Sequence, residues 1–134
     1  VELLAVNDAP PESPPEVDGE EQEREGVRFV DIVEGSGDEV ADGDSAFVHY
    51  TGWLEADGKR FDSSLIEPAV YPYNVGAGST IPGWDIGVPG MKAGGARRLI
   101  IPPELAYGAE GAGNGVIPPD ATLIFDIELV EIVD

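Results

Sequence analysis

The sequence predicts an α+β domain, in which a half-buried antiparallel sheet carries one short helix across one of its faces. Two observations lead there. From residue 27 onward, short alternating apolar runs recur between Gly, Pro and Asp turns, the pattern of antiparallel strands with one dry face. Only one segment of any length suits a helix, and a single short helix cannot cover both faces of a sheet. It must lie across a concave face and leave the other open to water. The length of 134 residues suits one domain with a core of its own, and no internal repeat of fixed period is present.

Residues 1–26, VELLAVNDAPPESPPEVDGEEQEREG, hold nine acidic residues and one arginine, with proline pairs at 10–11 and 14–15. Like-charge repulsion and proline leave little that can fold, so this stretch is expected to be a solvated tail or tether ahead of a domain spanning 27–134. GVRFVDIV opens that domain as a strand, and GSGDEVADGD follows as a loop. SAFVHYTGWLE is the next strand, joined through the Asp-Gly turn of EADGKR to a strand through Phe61, as a hairpin. YPYNVG and ARRLIIPP are further strands. IPGWDIGVPGM places Trp84, Val88 and Met91 at helical spacing, with Pro89 and the glycines limiting it to about two turns. PELAYG offers a single turn after Pro102 and Pro103. ATLIFDIELVEIVD alternates most clearly: Leu123, Phe125, Ile127 and Leu129 share one face, and Thr122, Asp126 and Glu128 the other.

Composition narrows the chemistry. There is no cysteine and only one histidine, His49, so disulfides, thiolate catalysis and zinc sites built from several imidazoles are excluded. The net charge is −20, from 27 acidic against 7 basic residues, which argues against a nucleic-acid partner. Lys59-Arg60 and Arg97-Arg98 are isolated pairs rather than a basic stripe. Such an acid excess serves solubility, or suits a salty medium that screens it. No run reaches the roughly 20 apolar residues of a membrane span, and no basic, apolar leader opens the chain. It starts at Val1 rather than Met, as a processed or trimmed product would. An exported or surface-tethered location is the preferred expectation, with the cytosol of a salt-loving cell as the alternative.

The loops invite two readings that their spacing does not support. Asp38, Asp42 and Asp44 lack the ligand positions of a calcium loop, and an acidic turn is the simpler account. GAEGAGNGVIPP lacks a Gly-Lys-Ser/Thr ending and a following helix, so it is no phosphate cradle but a surface loop that can line a groove. The aromatics say more. Tyr50, Phe61, Tyr71, Trp84, Tyr107 and Phe125 come from six segments. Core packing accounts for such a set, but the tyrosine hydroxyls among them need partners, which a half-open pocket supplies better than a sealed core.

VHYTGWLEADGKRFDSS, IPGWDIGVPGMKAGGARRLIIPPELAYG and VIPPDATLIFDIELVEI together resemble the FK506-binding, or FKBP-type, peptidyl-prolyl cis-trans isomerases, in register over about residues 27 to 134. The resemblance implies a strongly bent antiparallel sheet wrapped around the short helix. It also implies an enzyme that rotates X-Pro bonds, with proline-containing polypeptides as substrates and FK506- or rapamycin-like macrolides as ligands. No cofactor or metal is implied, and a monomer is expected. Carried over by position, Trp84 is the pocket floor, with Tyr50, Phe61, Tyr71, Thr80, Ile81, Tyr107, Ile117 and Phe125 as walls and Val116 on a pocket loop. Asp62 is similar to the family's pocket-edge aspartate, Tyr107 to a tyrosine whose hydroxyl meets a ligand carbonyl, and the Ile81 amide to a second donor.

Read from turn chemistry alone, Asp62 is a residue bonded to the Ser63 or Ser64 amide. The resemblance makes it the polar marker of the pocket mouth. Glu67 stands where well-known members carry an arginine linked to that aspartate, which is expected to weaken macrolide binding more than isomerisation. Tyr71 replaces a usual phenylalanine, and Ala112 or Gly113 lies where others carry bulkier loop tips. A non-catalytic protein-binding module on the same fold is the rival function, since folds host both. A holding chaperone would need an exposed apolar patch or an inserted domain, and the loops are short.

Overall fold

The computed structural model describes Pro14, Val17 and residues 19–63, 71–78, 80–112 and 116–133. Expectations about Ser64, Glu67, Gly113 and most of the stretch before residue 19 fall outside these. The strands are β1 (Gln22–Arg24), β2 (Val27–Val33), β3 (Ser45–Leu54), β4 (Arg60–Ser63), β5 (Tyr71–Asn74), β6 (Ala96–Ile101) and β7 (Leu123–Val133), with one helix, α1 (Pro82–Gly87). They form one antiparallel sheet in the order β1-β2-β6-β7-β3-β4, with β5 also paired to β3.

β3 organises the sheet. It pairs with β7 along its whole length, while its other side is shared: Ser45 to Val48 pair with β5, and Thr51 to Trp53 with β4. The register slips opposite Phe47/Val48, where β7 carries the extra residue Val130, and opposite Gly52/Trp53, where β4 carries the extra residue Phe61. Tyr50 lies between the two partners, at the fork where β4 and β5 separate. The inner face carries Val48, Leu99, Ile101, Leu123, Ile127 and Leu129, each at 0 % exposure, burial that contributes about 1.5–3 kcal/mol per side chain. Trp84, Val88 and Met91 close the core from the helix side, as their spacing predicts.

The helix is shorter than its apolar pattern. Pro82 starts it, with the fixed φ that suits a first turn. Val88 caps it by donating its amide to the Trp84 carbonyl at 2.9 Å, and Pro89 follows. Six residues cannot stand alone in water. Gly83 and Gly87 let the helix lie flush on β6, since a Cβ at either would overlap Ile101 or Leu99. Two arginines then hold its C-terminal end. Arg97, 5 % exposed, donates to the Gly87 carbonyl at 2.8 Å and to Asp31 at 2.6 Å. Arg24 donates to the Ile86 and Pro89 carbonyls at 3.0 and 2.8 Å. Cations at the negative end of the helix dipole are favourable there.

Two expectations need adjusting. The acidic stretch does not stay solvated up to residue 26: Gln22–Arg24 pair with β2 through a tight turn in which Glu25 and Gly26 both have positive φ. Charge composition hides this strand, whose contribution is the Arg24 anchor. The outer face is also less open than expected. Trp53 lies on it at 1 % exposure, beneath the Arg98 guanidinium 5.8 Å from its ring, and Arg98 grips Asp126 through two bonds of 2.7 and 2.9 Å. Both members of the Arg97-Arg98 pair are thus consumed inside the fold. The PELAYG turn is a single 3-10 turn, Pro103–Leu105, followed by another at Gly108–Glu110.

Candidate active site

Where β4 and β5 diverge from β3, a recess of about 200 Å³ opens against the helix, lined by Tyr50, Phe61, Asp62, Tyr71, Thr80, Ile81, Trp84, Tyr107 and Phe125. Trp84, 4 % exposed, is its floor. Tyr50, Tyr73 and Phe125 meet that indole edge-on at 5.3, 5.3 and 5.4 Å, and Tyr71 at 6.0 Å. Such perpendicular arrangements match positive ring edges to negative faces. The indole N–H is buried with no hydrogen-bond partner among the described residues. Phe61 leans on Phe125 at 5.5 Å and 89° to form one wall. Gly52 makes room for that contact: a Cβ there would sit 2.6 Å from Phe61 and 2.8 Å from Phe125.

Asp62 is hydrogen-bonded through both of its oxygens. One oxygen accepts the Ser63 amide at 2.8 Å, the local turn bond, and the other accepts the Tyr50 hydroxyl at 2.8 Å across the fork. The carboxylate stands exposed at the mouth beside the half-buried Phe61. Burial first, and then Asp62, push the Tyr50 hydroxyl above its ordinary pKa, and Tyr107 shifts the same way for the same leading reasons. Both phenols therefore stay protonated donors at neutral pH. The Tyr107 hydroxyl and the Ile81 amide have no hydrogen-bond partner among the described residues.

The match to the family model described as FKBP-type peptidyl-prolyl cis-trans isomerase runs over residues 37–130. The chain belongs to that family. It is an FKBP-type peptidyl-prolyl cis-trans isomerase with the open, curled sheet and short helix of its structural neighbours. An FK506-binding protein of Neisseria meningitidis serogroup B is 52% identical over 107 residues, covering 80% of this chain and 96% of its own. The N-terminal domain of FKBP42 from Arabidopsis thaliana superposes with a TM-score of 0.84 at 29% identity, covering 92% of this FKBP chain and 100% of the other. A peptidyl-prolyl cis-trans isomerase from Pseudomonas syringae pv. tomato gives 0.75 at 34% identity, over 85% and 81%.

Nine of the FKBP site residues expected from sequence line this one recess. Val116 and Ile117 do not. Ile117 exchanges backbone bonds with Ala112 at 2.9 and 3.0 Å and is 6 % exposed, and Val116 is 53% exposed on the loop. Sequence reasoning also missed a supporting pair. Tyr73, 1 % exposed, donates its hydroxyl to Asp85 at 2.5 Å, and Asp85 also accepts the Gly76 and Gly78 amides at 3.0 Å each. That carboxylate ties the turn after β5 to the helix bearing Trp84. The signal was present in the sequence, because Tyr73 shares a strand face with Tyr71 and Asp85 adjoins Trp84.

Proposed function

We propose that this isomerase works by seating the substrate proline on Trp84 between Phe61 and Phe125. The Ile81 amide and the Tyr107 hydroxyl hold the flanking carbonyls, and Tyr50 fixes Asp62 at the rim. Convergence of nine chemically suited side chains on one recess carries this reading. Rotation of an X-Pro amide needs no nucleophile and no metal. Its barrier of roughly 18–20 kcal/mol is amide resonance. The planar amide is more dipolar than the twisted one, so transfer from water to an aromatic-walled site raises the planar state relative to the twisted state. Holding one side of the bond while the other turns adds the advantage of orientation. Each ~1.4 kcal/mol gained in this way is a tenfold rate increase. FK506-type macrolides would compete for the same recess, a reading supported by family membership alone.

The test is isomerisation of a Phe-Pro tetrapeptide followed by NMR exchange, for the intact chain and for Phe61→Ala. Phe61 is only half buried, so the variant should remain folded by circular dichroism. Its kcat/KM should fall by about tenfold or more, the effect of ~1.4 kcal/mol of lost transition-state contact. Equal activity in a folded Phe61→Ala protein would remove Phe61 from the site.

A further inference from the structure

The end of α1 leaves the Ile86, Gly87 and Pro89 carbonyls without a backbone donor among the described residues. Position 89 is proline and has no amide to give, and the Gly90 and Met91 amides, which would close the next turns, donate to Val40 at 2.9 Å and to Val88 at 3.1 Å. Side chains take over. Among the described residues Arg24 is the one donor to the Ile86 carbonyl, at 3.0 Å, and Arg97 the one donor to the Gly87 carbonyl, at 2.8 Å. The two guanidiniums share the Pro89 carbonyl, at 2.8 and 3.2 Å, and both lie against the Phe29 ring, 5.2 and 4.6 Å from its centre. Arg97 belongs to the sheet beneath the helix. Arg24 comes from β1, which lies outside the residues 37–130 matched to the family model.

The floor of the recess depends on this helix end. Trp84 precedes Ile86 in the same short helix, and its carbonyl accepts the Val88 amide at 2.9 Å, the bond that closes the last turn. We propose that Arg24 is a positioning residue for the reaction, a strap from the N-terminal segment that holds the last turn of α1 and so keeps the Trp84 ring seated beneath the substrate proline. The proposal rests on the recess being the isomerase site. Without Arg24 the Ile86 carbonyl loses its protein donor, and the last turn must move to reach water. A small displacement of a group that touches substrate is enough to cost rate. Arg97 keeps its bonds to Gly87 and Asp31, so the helix stays attached and what is lost is position rather than fold.

The experiment compares the intact chain with Arg24→Ala, Arg24→Lys and Arg28→Gln. Lysine still has donors for two carbonyls. Arg28→Gln removes the same unit of charge from the neighbouring strand, where only exposed ion pairs to Glu21 and Glu55 are lost. Isomerisation of a Phe-Pro tetrapeptide is followed by exchange NMR well below the melting temperature of every variant, and the indole N–H signals of Trp53 and Trp84 are recorded alongside. Arg24→Ala should lower kcat/KM by about fivefold and shift or broaden the Trp84 signal, while the Trp53 signal, from the outer face of the sheet, stays in place. Arg24→Lys should recover most of both effects, and Arg28→Gln should match the intact chain. Full activity in a folded Arg24→Ala protein overturns the assignment even if its melting temperature falls, and so does an equal loss in Arg28→Gln. An intact chain that accelerates no peptide refutes the isomerase reading instead. The Trp84 signal then decides whether the strap holds the floor, and an unmoved signal in Arg24→Ala overturns it.

Discussion

Replacing Tyr73 by phenylalanine removes one oxygen atom and keeps the ring that meets Trp84 at 5.3 Å and 87°. The lost bond is the one to Asp85. A hydrogen bond to a charged acceptor contributes about 1.5–3 kcal/mol. Asp85 is only half buried and keeps its bonds from Gly76 and Gly78. The lower end, about 1.5 kcal/mol, is therefore the expected loss, or roughly 6 °C in Tm at about 4 °C per kcal/mol. Urea denaturation of Tyr73→Phe, Asp85→Asn and the double variant should give a coupling of about 1 kcal/mol, and the Gly76 and Gly78 amides should exchange faster in Asp85→Asn. Alkaline pH supplies a second reading. Burial, and then Asp85, raise the Tyr73 pKa well above its ordinary 10.0. The stabilisation is complete below that ordinary value and is lost as pH rises toward the folded one. Above pH 10 the wild-type advantage over Tyr73→Phe should shrink by about 1.4 kcal/mol per pH unit. Tyr50 and Tyr107 shift the same way but are present in both proteins and cancel. A Tm change under about 1 °C, or a gap that stays constant to about pH 11, would refute the account of this clamp.

Gly52→Ala puts a Cβ against the ends of Phe61 and Phe125. Overpacking of this kind costs about 1–3 kcal/mol, and the displaced walls should lower kcat/KM by about tenfold. A variant as active and stable as the parent would show that the two rings give way freely. Glu25 occupies the left-handed region at φ 50, a conformation asparagine adopts more readily. Glu25→Asn should therefore raise Tm by about 2–4 °C, on a gain of about 0.5–1 kcal/mol. An unchanged melt would argue that β1 forms too weakly to report on its turn.

The fold class and most of the candidate site were legible in the sequence because they rest on local periodicity and residue type. The two-residue alternation in β7 specifies one buried face, and Pro82, Pro89 and the glycines bound the helix by residue type alone. The aromatic residues declare themselves by chemistry, and the three motifs carry the family. Closing the site depended on contacts that no local pattern encodes. Arg24 sits in an acidic stretch whose composition predicts a solvated chain, yet it reaches carbonyls more than sixty residues away. Asp85 reads as an ordinary helix residue until β5 brings Tyr73 to it. Val116 and Ile117 adjoin the pocket by sequence, yet neither is among the residues that line the recess. Periodicity fixes which way a side chain faces within its own element. Which carbonyl, ring or carboxylate it meets there depends on the register slips in β4 and β7 and the fork between β4 and β5, which tertiary packing alone sets.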